Sequence, residues 1–76
     1  MERETMTRAV AAPDGFEGTV YYVDGSHSWQ PAYRRVGATW WTNTYHGAGH
    51  AYLTDDEVTK RAEAAIVHDI SVREKR

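Results

Sequence analysis

Hydrophobic and polar positions alternate along the first half of the chain with the period of β-strands. The run "EGTVYYVD" (17–24) is rich in β-branched and aromatic residues and has turn residues at both ends. It ends in Asp24-Gly25, a strong signal for a hairpin. A second strand is therefore predicted around residues 29–36. Pro31 within it suits a sheet edge or a strand start, because proline has no N–H to donate.

The alternation continues through the most aromatic part of the chain. "TWWTNTYH" (39–46) predicts a third strand, and "HAYL" (50–53) predicts a short fourth strand. The glycines of Gly47-Ala48-Gly49 between them permit a reversal of direction. The pattern therefore indicates a small antiparallel β-meander of three to four strands.

The period changes from two to that of an α-helix after residue 53. Thr54 and Glu57 have the spacing of a capping box, and acidic residues follow Thr54, where the helix dipole favours negative charge. An apolar stripe then recurs at helical spacing. The stripe consists of Val58, Ala62, Ala65, Ile66 and Ile70. The predicted fold class is α+β, with one C-terminal helix packed on one face of the meander.

The chain is predicted to consist of an arm, one domain and a tail. Residues 1–15 have no aromatic residue and are interpreted as a mobile N-terminal arm, although "TRAVA" (7–11) could instead add an edge strand. Residues 16–71 form the predicted meander and helix, and residues 72–76 form a polar C-terminal tail. No internal repeat or low-complexity segment occurs.

Composition and charge limit the possible core and the possible functions. The chain has 76 residues, no cysteine and few aliphatic side chains, so its core must be built largely from Trp and Tyr, and disulfides and thiolate zinc sites are excluded. The net charge of -2 argues against nucleic-acid binding, which relies on Lys and Arg contacts to phosphate. No apolar run is long enough to span a membrane, and the start of the sequence lacks the apolar core of a signal peptide. A cytoplasmic location is the default expectation.

Large aromatic rings are predicted on both faces of the sheet. Trp40 and Trp41 fall on opposite faces of the third strand, as do Tyr21 and Tyr22 in the first. A single helix covers one face only, so the other is expected to bind a partner or a second copy of the chain. The alternative is that the arm folds over it. One of Trp40 and Trp41 is expected in the core and the other at the contact surface.

The segment "HGAGH" (46–50) is the second candidate for chemistry. His46 and His50 could face each other across the turn and bind a metal, but the sequence fixes no third ligand. The same glycine-rich turn, with Gly47 and Gly49, could hold a small ligand or a nucleotide between nearby aromatic rings at a subunit interface. The alternative without a ligand is a pair of imidazoles that hydrogen-bond to backbone or water. No metal site and no cofactor are predicted.

The sequence does not favour an enzyme. Ser26 and His27 are neighbours in one predicted turn, whereas a catalytic triad needs a base that a third group orients. A domain of this size also has little room to enclose a substrate pocket.

The sequence therefore predicts a small non-catalytic binding protein that docks an aromatic sheet face on a protein partner, and a homo-oligomer is also expected. Chains of this kind often act as inhibitors, adaptors or regulators, including phage-encoded ones. Aromatic residues and arginine are the usual anchors of such interfaces. The predicted partner-binding residues are Tyr22, Trp29, Arg35, Trp41 and Tyr45.

Overall fold

The predicted antiparallel sheet is present in the computed structural model, which describes residues 7–74 of the chain. Its strands are β1 (Thr7–Val10), β2 (Phe16–Val23), β3 (Ser28–Arg35), β4 (Thr42–Asn43) and β5 (Gly49–His50). They lie in the order β1-β2-β3-β4, and β5 pairs with the same edge of β3 as β4. With the C-terminal helix, this arrangement confirms the α+β fold class.

The β2–β3 hairpin forms the centre of the sheet. Tyr22 pairs with Trp29 near the turn, and Gly18 pairs with Tyr33 near the open end. The connection is a short 3-10 turn at Asp24–Ser26, and His27 follows it in the left-handed region with φ 50°. The Asp-Gly signal therefore located the reversal correctly.

The predicted third and fourth strands are much shorter in the structure, and Pro31 gives the physical reason. The carbonyls of Trp29 and Pro31 accept hydrogen bonds from the neighbouring segment, so odd-numbered residues of β3 present their backbone groups to that side. Pro31 has no N–H to donate there. Pairing with β5 therefore ends at Trp29, and pairing with β4 begins at Ala32. The expectation of one continuous strand over 39–46 is wrong.

Part of the predicted arm belongs to the sheet. Residues 7–10 form β1 and pair antiparallel with β2 from Thr7↔Tyr21 to Val10↔Gly18. This is the edge strand that the sequence left open as an alternative. Residues 1–6 of the arm and residues 75–76 of the predicted tail lie outside the described residues. Within 7–74, no helix is both long and apolar enough to cross a membrane.

Helix α1 spans Asp55–Glu74, and it starts at the predicted cap. The backbone N–H of Glu57 donates to the Thr54 hydroxyl over 3.2 Å, and the Glu57 carboxylate accepts from the backbone N–H of Thr54 over 3.3 Å. These reciprocal bonds satisfy donors that a helix start otherwise leaves unpaired.

The apolar stripe of α1 packs on the face of the hairpin that carries Gly18, Val20 and Trp29. A Cβ at Gly18 would lie 3.0 Å from Cδ1 of Ile66, so the glycine allows the helix to approach the sheet closely. Val20 and Ile66 are completely buried, and each belongs to one of two adjoining clusters that fill the helix–sheet layer.

The opposite face of the sheet carries mostly polar side chains. Thr19, Tyr21 and Gln30 lie on it, and the Tyr21 hydroxyl donates to the Asn43 side chain over 3.0 Å. The expectation that either Trp40 or Trp41 is a core residue is wrong. Their side chains are 83% and 42% exposed, and the buried tryptophan is instead the one at position 29.

Candidate functional site

Residues 36–53, here called the edge segment, run beside β3 and are fastened to it by backbone hydrogen bonds. The N–H of Thr44 donates to the carbonyl of Pro31 over 3.2 Å, and the N–H of Ala48 donates to that of Trp29 over 2.9 Å. Ala48 is completely buried in the core cluster. The path of the edge segment is therefore set by contacts with the sheet, although little of it is regular strand.

Three large aromatic side chains of the edge segment project into solvent. Trp40 is 83% exposed, Tyr45 is 88% exposed and Tyr52 is 92% exposed, whereas Trp29 and Tyr33 of β3 are almost fully buried. Exposed large rings on a fixed backbone are typical of binding surfaces, because aromatic residues supply much of the energy of protein interfaces.

A buried carboxylate fastens the edge segment to the helix. Asp69 accepts hydrogen bonds from the Tyr33 hydroxyl over 2.6 Å, from the backbone N–H of Tyr45 over 3.2 Å and from Nε of Arg73 over 2.7 Å. The three donors come from β3, the edge segment and α1. Because a buried carboxylate is costly unless it is fully bonded, this network fixes the three elements relative to one another.

The network shifts the pKa values of both acidic groups. The pKa of the Tyr33 phenol is raised to about 12, first by burial and then by the adjacent Asp69 carboxylate, which accepts a hydrogen bond from the phenol and carries negative charge. Burial alone would raise the pKa of Asp69. The bonds from Tyr33, Arg73 and the Tyr45 N–H outweigh burial, so the pKa of Asp69 lies below its usual value. The network is therefore stable with a neutral phenol and an ionised carboxylate.

An open groove of about 530 Å³, here called the Trp40 groove, lies at the same end of the molecule. Phe16, Tyr33 and Ile70 give it apolar lining. Arg35 and Arg73 contribute positive charge, and Trp40 stands exposed beside them. The arrangement can receive an apolar side chain and offer guanidinium donors to a neighbouring carboxylate.

The arginines of the groove have carboxylate partners already. Arg35 contacts Glu74 at 2.9 Å and lies 4.7 Å from the centroid of the Phe16 ring, and Arg73 contacts Asp69. A guanidinium has more N–H donors than one such contact uses. Both arginines are more than half exposed, so their remaining donors are accessible to a ligand.

Trp41 lies on the opposite, polar face of the sheet. The guanidinium carbon of Arg34 sits 4.2 Å from the centroid of its indole ring, and Arg34 also pairs with Glu17 from the neighbouring strand. Trp41 is 42% exposed. Trp41 is therefore a smaller exposed surface than Trp40.

The structure does not bring the predicted partner-binding residues to one face. Trp29 is in the core, and Tyr22 packs edge-on against it at 5.2 Å between ring centroids. Arg35 lies at the Trp40 groove, and Trp41 lies on the polar face. Tyr45 is in the edge segment beside α1. Of the five, only Arg35 is among the residues that line the groove.

The residues of the alternative ligand site are also divided. The ring of His46 faces His68 of α1 at 6.3 Å between centroids, whereas the ring of His50 faces Tyr52 at 5.7 Å. A Cβ at Gly47 would contact the Gln30 side chain. Gly49 pairs with β3 at φ +112°, a backbone conformation that residues with a side chain rarely adopt. Across residues 7–74, no group of three or more His, Cys, Asp or Glu side chains could hold a metal ion.

The sequence did not predict the buried role of Asp69 or the high exposure of Trp40. The signal for Asp69 is its place on the apolar stripe, since it follows Ala62 by two helical turns and directly precedes Ile70. A carboxylate at such a position faces the sheet and requires partners. The exposure of Trp40 has no comparable signal, because it depends on where pairing with β3 stops.

Comparison of the chain with known protein families, with curated protein sequences and with solved structures finds no match.

Proposed function

We propose that the protein is a non-catalytic binding protein that docks on a protein partner through the Trp40 groove. The observation that carries this proposal is the 83% exposure of Trp40 at an open groove with apolar lining. The sequence predicted docking through a sheet face. The exposed ring of Trp40 favours the groove instead.

The chemistry of the groove defines the partner. Phe16, Tyr33 and Ile70 favour an apolar side chain, and Arg35 and Arg73 favour a carboxylate next to it. The partner segment is therefore an apolar residue flanked by aspartate or glutamate. Trp40 closes over the apolar residue and excludes water from the contact with arginine, which strengthens that contact.

Selection from a displayed library of random peptides tests the proposal directly. The immobilised full chain is expected to enrich peptides in which an acidic residue adjoins an aromatic or aliphatic one. Trp40→Ala is expected to weaken an enriched peptide by roughly 30-fold, which corresponds to about 2 kcal/mol for an interface anchor. Arg35→Ala is expected to weaken acidic peptides more than their amide analogues.

Tyr52→Ala is the matched control, because Tyr52 is at least as exposed as Trp40 and is absent from the lining of the groove. This variant should bind the enriched peptides as the wild type does. Peptides whose affinity is unchanged in Trp40→Ala would contradict the proposal. Quenching of tryptophan fluorescence by a nucleotide, without any enriched peptide, would favour the capture of a small ligand instead.

A further inference from the structure

His46 and His68 form a pair that neither the fold nor the Trp40 groove explains. His46 belongs to the edge segment and His68 to α1, and their ring centroids are 6.3 Å apart. Both side chains are exposed. Within residues 7–74, neither imidazole has a hydrogen-bond or ion-pair partner, so none of the four ring nitrogens is used by another described residue.

The other two histidines differ in this respect. Nδ1 of His27 lies 3.4 Å from the Tyr22 hydroxyl, and Nδ1 of His50 accepts a hydrogen bond from the backbone N–H of Tyr52 over 3.2 Å. Each therefore uses one ring nitrogen within its own part of the chain. His46 and His68 are the pair of neighbouring histidines whose ring nitrogens no other described residue uses.

The buried carboxylate network positions this pair. Asp69 accepts the backbone N–H of Tyr45, so the residues next to this bond, His68 and His46, are brought together. The Thr44 hydroxyl donates to the carbonyl of His46 over 2.5 Å, which fixes the backbone on the other side. The Tyr45 ring also packs edge-on against the His46 ring at 5.1 Å. Both histidines thus project from backbone that is held in place.

The spacing suits a transition-metal ion. Zinc bonds to imidazole nitrogen at about 2.0–2.1 Å with tetrahedral geometry, which places two ligating rings roughly 5 Å apart between centroids. Exposed side chains can close the remaining difference by rotation. Two imidazoles supply only half of the usual four ligands, so the site is incomplete within one chain.

We propose that Zn²⁺ joins two copies of this chain, with His46 and His68 of each copy as its ligands. A two-fold axis through the ion relates the two His46 rings to each other and the two His68 rings to each other, and the four imidazoles complete the tetrahedron. Tyr45 and Val72 flank the pair with side chains that are 88% and 45% exposed. In the dimer, Tyr45 and Val72 of one copy are expected to pack against the same surface of the second copy. The site is separate from the Trp40 groove and does not depend on it.

Sedimentation velocity of the full chain, with zinc and with EDTA, tests the proposal. Zinc is expected to convert the chain to a dimer at one ion per two chains, and EDTA to reverse this. His46→Ala and His68→Ala should each abolish the zinc-induced dimer. His27→Ala and His50→Ala are the matched controls and should behave as the wild type, and circular dichroism verifies that all four variants fold.

Three outcomes would overturn the proposal. The first is binding of zinc at one ion per chain without dimerisation. The second is a dimer whose amount is unaffected by EDTA or by either of the two ligand substitutions. The third is no binding of zinc at millimolar concentration. Loss of peptide binding at the Trp40 groove is independent of all three outcomes, so this proposal and the proposed function can fail separately.

Discussion

Trp29 and Trp40 lie in neighbouring parts of one small domain, but their environments are opposite. Trp29 is 8% exposed beneath α1, with Tyr22 against its ring, and Trp40 is 83% exposed at the groove. Trp29 alternates along β3 with Gln30 of the polar face, so its side chain points to the helix face, where it packs in the core cluster. Trp40 precedes the two-residue strand β4, outside any ladder of hydrogen bonds. Strand pairing, rather than residue type, decides which ring stabilises the fold.

The largest expected effect tests the buried side of this comparison. Trp29→Ala should lower the free energy of unfolding by about 3–5 kcal/mol, because it empties a core position that touches Val20, Ala48 and the helix. A domain of this size has little more stability than that to lose. Urea denaturation followed by circular dichroism measures the effect. A loss below about 1 kcal/mol would show that Trp29 is not in the core.

The next largest effect concerns Asp69, which joins the helix to β3 and to the edge segment. Asp69→Ala leaves the Tyr33 hydroxyl and the Tyr45 N–H without their acceptor, and a loss of about 2–3 kcal/mol is expected. Asp69→Asn is the matched control. It keeps an acceptor oxygen but not the charge that pairs with Arg73, so its loss should be smaller. Equal stability of the alanine variant and the wild type would contradict the network.

The pH dependence of stability tests the hydrogen bond between Tyr33 and Asp69. The pKa of Tyr33 is raised to about 12 in the folded chain, so its contribution is fully present below the ordinary tyrosine pKa near 10 and is lost as the pH rises toward 12. The free energy of unfolding should therefore fall across this window. Tyr33→Phe has no phenol to ionise, and its profile should be flatter there, although the other tyrosines are unchanged. Identical slopes would contradict the assignment.

At low pH, the contribution of Asp69 to stability depends on pH in the opposite direction. Its folded pKa lies below the usual value, so its contribution is present above the unfolded pKa and is lost as the pH falls through the folded one. Asp69→Asn should remove this part of the acid dependence, and acid titration of the two proteins by circular dichroism compares them.

The smallest effect on stability belongs to the exposed side of the comparison. Trp40→Ala should change the free energy of unfolding by less than about 0.5 kcal/mol, since an exposed side chain has little packing to lose. The same urea denaturation serves as the test. A loss on the scale of Trp29→Ala would mean that Trp40 closes over the groove in the free protein.

Local patterns predicted the parts of the fold that local forces decide. The capping box at Thr54 and Glu57, the apolar stripe of α1 and the reversal near Asp24 each depend on a few adjacent residues. Pro31 was expected at a sheet edge or a strand start, but it lies inside β3, and the effect of its missing N–H depends on which edge of β3 that N–H would have faced. That edge is known only once the β2 register is fixed.

The candidate sites were less accessible to the sequence, because they join distant segments. One alternative from the sequence was that His46 faces His50, four residues away, but its ring lies against His68 of the helix. Trp40 and Trp41 have similar local surroundings in the sequence. Trp40 is the more exposed of the two. In the structure, it precedes the paired residues of β4, and Arg34 stacks on Trp41.

The absence of an N–H at Pro31 also bears on aggregation. On the far side of β3, the sheet ends in the two-residue strands β4 and β5, and the residues between them do not pair with β3 as a strand. An incoming extended chain would find too few consecutive donors and acceptors there to template cross-β growth. In the described part of the chain, the longer unpaired border is the outer side of β1, and four residues are a short template. Fibril formation by edge-to-edge addition should therefore be slow for this protein in its folded state.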